Sequence, residues 1–146
     1  AMRWGTDFEP DAREYYELLK GEQVEEIAFI SPCGDYGGSP DGLIGKDGAI
    51  EIKCPFKPVN HLKNSLCRTA KDLKDLKKDY YWQCIGIMML AERDWIDFVS
   101  YDPRLEGMKK MSVLRIEKDK VAEKELKAAI ERAIEYKKEL LTRWQA

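Results

Sequence analysis

Hydrophobic positions along this chain fall into two periods, and the switches between them mark out its elements. In residues 7–20, Phe8, Ala12, Tyr15 and Leu19 recur at helical spacing, and Gly21 supplies a stop. The start of this helix is open between two readings. Thr6-x-x-Glu9 matches a capping box, whereas Pro10 favours the first helical position. Both place Glu9 at the helix N-terminus. Residues 24–30 are rich in branched side chains and predict a strand, followed by a turn cluster from Ser31 to Asp35. Strands are predicted over 38–44 and 49–54. They are joined at Gly45-Lys46-Asp47-Gly48, where Asp-Gly favours a tight turn with positive φ. Residues 59–78 read as a polar helical stretch. Residues 79–92 are apolar almost all round, which predicts a central helix with Gln83 as its one conspicuous polar member. Strands follow over 94–101 and 111–117, connected through the Asp102-Pro103 turn and residues 107–110. A long amphipathic helix over 119–144 either covers the sheet or meets another subunit. The order α-β-β-β-α-α-β-β-α predicts a mixed α/β (α+β) fold, a central mixed sheet flanked by helices.

Composition narrows this picture. A chain of 146 residues, 44% hydrophobic and 36% charged, suits one soluble domain with a real core. No apolar run approaches the roughly 18 residues of a membrane span, and no secretory h-region is visible, so an intracellular protein without a membrane partner is expected. Cys33, Cys54, Cys67 and Cys84 form no C-x-x-C pair. Reduced, mostly buried thiols are expected rather than a zinc or iron–sulfur site. His61, the lone histidine, is read as a surface residue with no role.

Charge changes the picture locally. The net charge of −2 provides no global footprint for nucleic acid, so any such contact must use a local patch. One segment qualifies: Lys57, Lys63, Arg68, Lys71, Lys74, Lys77 and Lys78 face only Asp72 and Asp75. Lys57, Lys63 and Arg68 are the candidate phosphate contacts. The alternative is a solvated helix face with short-range pairs such as Asp75 with Lys78.

Candidate chemistry gathers in residues 39–55, SPDGLIGKDGAIEIKCP. Alternation puts Glu51 and Lys53 on one face with Ala49, and Ile50, Ile52 and Cys54 on the other, towards a core. Folding the hairpin back brings Asp41 towards Glu51. Two adjacent carboxylates repel unless one is protonated or a cation neutralises them. A hard divalent cation binds one or two carboxylates, keeps waters and leaves room for a phosphate. With a lysine beside it to orient water, this is equipment for metal-assisted phosphodiester hydrolysis. The alternative is a surface hairpin with a cross-strand ion pair.

These residues resemble the PD-(D/E)xK nuclease superfamily, and more closely the phage lambda-type exonucleases, the YqaJ-like viral recombinases. Ser39-Pro40-Asp41-Gly42-Leu43 and Glu51-Ile52-Lys53-Cys54-Pro55-Phe56 stand as that family writes them. Gly5-Thr6-x-x-Glu9-Pro10-x-Ala12 resembles its first-helix motif, Gln83 lies in the matching helix, and Tyr101-Asp102-Pro103-Arg104 follows the next strand. The resemblance runs in order through essentially the whole chain. It implies a restriction-endonuclease-like fold over 1–146. It also implies a Mg²⁺-dependent 5′-to-3′ exonuclease on double-stranded DNA ends, with Mn²⁺ as a substitute, that feeds a single-strand annealing protein in recombination and is encoded by a phage or prophage. Asp41, Glu51 and the backbone carbonyl of Ile52 would hold the metal, and Glu9 a second metal or the water. Lys53 would position and activate the water, Gln83 would order Lys53 or the nucleophile, and Ser39 would approach a DNA phosphate. A homotrimeric ring around DNA is implied as well. Family members usually carry a segment before the first-helix motif that supplies a basic pocket for the 5′-phosphate, and this chain begins almost at the motif. Either that segment was removed or this is a minimal relative. The alternatives are an endonuclease on the same fold and a catalytically idle DNA-binding or assembly module.

Overall fold

The computed structural model describes residues 2–146. Its five strands are β1 (Val24–Glu25), β2 (Gly42–Ile44), β3 (Gly48–Lys53), β4 (Trp95–Tyr101) and β5 (Met111–Glu117), and they pair in sequence order. Only β3 and β4 run parallel; the other pairs are antiparallel. The β3–β4 crossover carries α2 (Pro58–Ser65), α3 (Ala70–Leu76) and α4 (Lys78–Leu90). Helix α1 (Met2–Lys20) precedes the sheet and α5 (Lys120–Gln145) follows it. This is the expected mixed sheet flanked by helices, with one helix more than the sequence pattern predicts.

The division of 58–76 into two helices has local causes. Pro58 opens α2 at its first turn, where a missing N–H costs nothing. Thr69 and Asp72 form a reciprocal capping box that starts α3 afresh. Lys77, in an extended conformation, both ends α3 and precedes α4. Asp75 pairs with Lys71 on its own helix, not with Lys78.

Two apolar clusters lie on opposite faces of the sheet. Ala49, Ile96, Phe98, Leu114 and Ile116 pack with α3, α4 and the start of α5. Ile44, Ile50, Ile52, Val99 and Met111 pack with Ala12 and Tyr16 of α1. Both faces of β3 are therefore covered, and the face carrying Ala49, Glu51 and Lys53 is not a surface. The surface-hairpin alternative does not hold, because Glu51 is only 1% exposed.

Four expectations are corrected. First, α1 begins at Met2, so Pro10 and Glu9 lie inside the helix and neither caps it. Pro10 removes one helical hydrogen bond. The turns before it persist because the Trp4 and Phe8 rings meet at a tilt, 4.4 Å between centres, and pack on the α1-side core, with Phe56 against the Trp4 ring. Ala12 and Tyr16 are buried, with Trp4, Phe8 and Tyr15 partly buried against the same core; Leu19 is exposed. Second, the strand predicted over 24–30 shrinks to two residues plus an isolated Ile30–Gly38 bridge, and the strand over 38–44 to three. Pro40 lacks the N–H a longer pairing would use. Third, the positive φ of the hairpin turn lies at Gly45 (φ 55°), not at Gly48. Gly48 sits in the strand, and a Cβ there would lie 2.3 Å from the Trp95 ring. Fourth, His61 is buried. Its ring nitrogens contact Ser100 Oγ and the Lys109 carbonyl, joining α2 to β4 and to the turn before β5.

The α5 expectation divides along the helix. Asp119 caps it through the N–H groups of Val121 and Ala122, and Ala122 and Leu126 join the core. Beyond this the helix runs outwards, with Tyr136, Leu140, Leu141 and Trp144 exposed.

Candidate active site

The site forms where β3 passes beneath α4 and beside α1. Ile50 and Ile52 anchor β3 in the α1-side core, which turns the alternate residues Glu51 and Lys53 towards α4. Asp41 lies directly before β2, one position beyond the Gly42–Ile50 pair, which brings it alongside Glu51. Its Oδ2 accepts the Ile52 N–H at 2.6 Å, so the carboxylate is fixed to the β3 backbone. Glu9 reaches the site from mid-α1 and Gln83 from α4.

Lys53 Nζ donates to Glu51 Oε1 at 2.5 Å and to Gln83 Oε1 at 3.0 Å. It also lies 5.0 Å from the Tyr80 ring centre, and Lys77 lies 4.4 Å from the same ring. Arg13 donates to Glu9 Oε1 at 2.8 Å. The cleft so formed encloses about 790 Å³ and is lined by Glu9, Asp41, Glu51, Ile52, Lys53, Gln83 and the rim residues Lys57, Asn60, Lys77 and Tyr80, among others.

The electrostatics are unbalanced. Burial, then the nearby Asp41 charge, pushes the Glu51 carboxyl up to about 7, although Lys53 opposes the shift. Burial also raises Asp41, against the Ile52 N–H and the Lys53 charge. Glu9 is raised by burial and then by Asp41. Burial disfavours the charge on Lys53, but the Glu51 carboxylate outweighs it, and the net direction is upward. Lys53 thus remains an ammonium. Glu51 Oε2 is buried with no hydrogen-bond partner. Of the three carboxylates, Glu51 has the half-buried Lys53 on one oxygen and Glu9 has Arg13, while the second Glu51 oxygen has nothing to bind.

Among the described residues, no three Asp, Glu, His or Cys side chains are gathered as a ready-made ligand set. A Mg²⁺ ion does not need one. It commonly takes one or two carboxylates and completes its shell with waters and substrate oxygens. Asp41 and Glu51 with the Ile52 carbonyl fit that pattern, and the orphaned Oε2 is a free ligand atom.

The other sequence candidates separate. Lys57 rims the cleft. Lys63 lines a smaller adjoining cavity with Asn60, Lys77 and Tyr80. Arg68 lies elsewhere, on an apolar cavity of about 700 Å³ between α2 and β5. Ser39 is exposed and lines none of these. Sequence alone does not single out Arg13 or Tyr80, and it names Lys77 only as one member of the basic run. Helical spacing offered a signal for two of them, since Arg13 is four residues from Glu9 and Tyr80 three from Gln83. The Tyr101–Arg104 motif proves to be a brace. Asp102 accepts from Arg104 Nε and Nη2, while the guanidinium stacks on Trp4 at 4.7 Å and reaches the Pro55 carbonyl.

Comparison with known proteins places these features in context. LHK-Exo, an alkaline exonuclease from Laribacter hongkongensis, is 35% identical, with a TM-score of 0.69 over 99% of this chain and 75% of that one. Its complex with dAMP matches over the same shares at a TM-score of 0.73. A phage-related exonuclease from Haemophilus somnus 129PT shares the fold at a TM-score of 0.80 with 13% identity, over 98% of this chain and 73% of that one. Among curated proteins, none matches significantly. The model of the YqaJ-like viral recombinase domain matches residues 1–94, a span that contains Glu9, Asp41, Glu51, Lys53 and Gln83, and the chain belongs to that family.

Proposed function

We propose that this protein is a Mg²⁺-dependent exonuclease that degrades one strand of duplex DNA from its 5′ end. The observation that carries the reading is the incompletely neutralised pair of half-buried Asp41 and buried Glu51, with Lys53 held between Glu51 and Gln83. The exonuclease relatives, one of them crystallised with a nucleotide, support the choice of substrate.

Asp41, Glu51 and the Ile52 carbonyl would hold Mg²⁺, or Mn²⁺ in its place, which supplies Lewis-acid stabilisation of charge on the scissile phosphate. The remaining work belongs to side chains. Lys53, held between Glu51 and Gln83, donates hydrogen bonds that orient the attacking water and stabilise the anionic phosphate. Gln83 accepts one Lys53 N–H and limits the directions in which the others point. Glu9 faces the pair from α1 and serves a second ion or the water. Lys57 and Lys77 on the rim, with Lys63 beside them, contact the DNA backbone without reading sequence. Ser39 and Arg68 would serve only DNA that extends beyond the cleft. A trimeric ring and delivery of the product strand to an annealing protein complete the reading, and light scattering on the intact chain tests the ring.

The deciding experiment digests linear duplexes with 5′-phosphate or 5′-hydroxyl ends, labelled at either terminus, with Mg²⁺ or EDTA. Mg²⁺-dependent release of nucleotides from the 5′ end is expected. Release from the 3′ end would overturn the polarity. Cutting of closed circles would replace the exonuclease with an endonuclease, and no cleavage under any condition would leave a DNA-binding module.

A further inference from the structure

Arg13 lies one turn along α1 from Glu9, with only 12% of its side chain exposed. Nη2 donates to Glu9 Oε1 at 2.8 Å and to the Asp41 backbone carbonyl at 3.3 Å. Nη1 pairs with Glu26 Oε1 at 2.8 Å. These acceptors belong to three segments: α1, the entry to β2, and the residue after β1. Neutralising Glu9 alone would require neither of the other contacts. The carbonyl that Arg13 holds belongs to the residue whose carboxylate is fixed to the Ile52 N–H. One guanidinium therefore ties a carboxylate of α1 to the backbone of a carboxylate on the hairpin. Glu26 is 73% exposed, so that arm is weakly held and the arm towards Glu9 and Asp41 sets the geometry. A planar fork can serve both acceptors at once, whereas the single ammonium of a lysine is a point charge.

We propose that Arg13 is a positioning residue that sets the distance between Glu9 and the Asp41–Glu51 pair, and so determines whether Glu9 shares in holding a divalent cation. The inference rests on the nuclease reading above and extends it to a residue outside the acidic and lysine set.

Calorimetric titration with Mn²⁺ tests it without DNA, on the intact chain and on Arg13→Gln, Arg13→Lys, Glu26→Gln and Glu51→Ala, each checked for folding by circular dichroism. Arg13→Gln is expected to lose one bound ion or to bind about 10- to 100-fold more weakly, the scale of orienting contacts around metal ligands. Its kcat on linear duplex should fall with KM for DNA nearly unchanged. Arg13→Lys should restore neither, and Glu26→Gln should leave both as in the unaltered protein. Normal Mn²⁺ binding by folded Arg13→Gln or Arg13→Lys would overturn the inference. Should Arg13→Gln not fold, Arg13→Lys, which keeps the charge, decides alone. If Glu51→Ala loses the ion while the Arg13 variants keep it, only the Arg13 inference falls. If Glu51→Ala also binds normally, the metal reading falls with it.

Discussion

Glu51 and Asp97 lie on neighbouring strands and are equally inaccessible, yet they are treated in opposite ways. Asp97 is fully paired: one oxygen accepts from Arg115 Nε at 2.8 Å, and the other from Arg115 Nη2 and the Tyr16 hydroxyl. Asp102 follows the same rule. The Arg104 guanidinium and backbone N–H hold its carboxyl below the usual range despite burial. Glu51 has one lysine on one oxygen, nothing on the other, and two further carboxylates nearby. Burial alone therefore does not mark a site here, since three carboxylates are buried and two of them brace the sheet. Incomplete pairing marks it: a carboxylate left short of donors holds an open ligand position, at a cost to the metal-free protein.

This contrast predicts opposite mutational signatures. The largest effect belongs to Glu51→Ala. Cleavage and Mg²⁺ binding should vanish, a loss of about three orders of magnitude or more in rate. The metal-free melting temperature should hold or rise, because a poorly satisfied buried carboxylate has gone. Calorimetry and thermal denaturation on one sample check both halves, and normal Mg²⁺ affinity would refute the ligand assignment. Lys53→Ala should lower the rate about 100- to 1,000-fold. It should keep or tighten Mg²⁺ binding, since its ammonium occupies Glu51 Oε1; a weaker titration would mean that Lys53 organises the ligands.

Asp97→Ala should do the reverse. It leaves the Tyr16 hydroxyl and Arg115 without their partner. Because Arg115 is half-exposed, the expected loss is about 2–3 kcal/mol, or about 6–10 °C, with the rate per folded molecule unchanged. A rate loss with intact stability would place Asp97 in the chemistry.

The smallest effect is a pH dependence. Glu51, Asp41 and Glu9 are raised on folding, so the native state binds more protons than the unfolded chain between the ordinary carboxylate range and about 7. In EDTA the melting temperature should therefore rise by a few degrees as pH falls from 8 to 6. Asp102 has the opposite sign, and its contribution is lost only at more acid pH, below the ordinary Asp range. Saturating Mg²⁺ should flatten the rise between pH 8 and 6. A rise of the same size in Glu51→Ala would assign it to other groups.

Much of this was legible in residue order. Alternation in 49–53 correctly put Glu51 and Lys53 on one face, because side chains alternate across any strand whatever covers it. The turn between β2 and β3 and the position of Gln83 in an apolar helix also followed from local rules, although the Asp-Gly preference pointed to Gly48 and the positive φ lies at Gly45. Glu9 was misplaced at a helix start, because Pro10 is a strong local signal while the packing of Trp4 and Phe8 on residues far away in sequence is not. Sequence alone puts His61 on the surface for the same reason, as its partners Ser100 and Lys109 lie in other elements. Arg68 and Lys63 looked alike as members of one basic run. The break between α2 and α3 sends them to different cavities.

By itself, then, the sequence determined the succession of elements, the face that carries Glu51 and Lys53, and the set of residue types able to bind a cation and orient water. These depend on period and chemical identity, which are local. Only the tertiary structure decided that both faces of β3 are buried, that Asp97 and Asp102 are satisfied while Glu51 is not, and that Arg13 ties Glu9 to Asp41. Burial and hydrogen-bond partners arise where distant segments meet, and no local pattern records how many donors will reach a given oxygen.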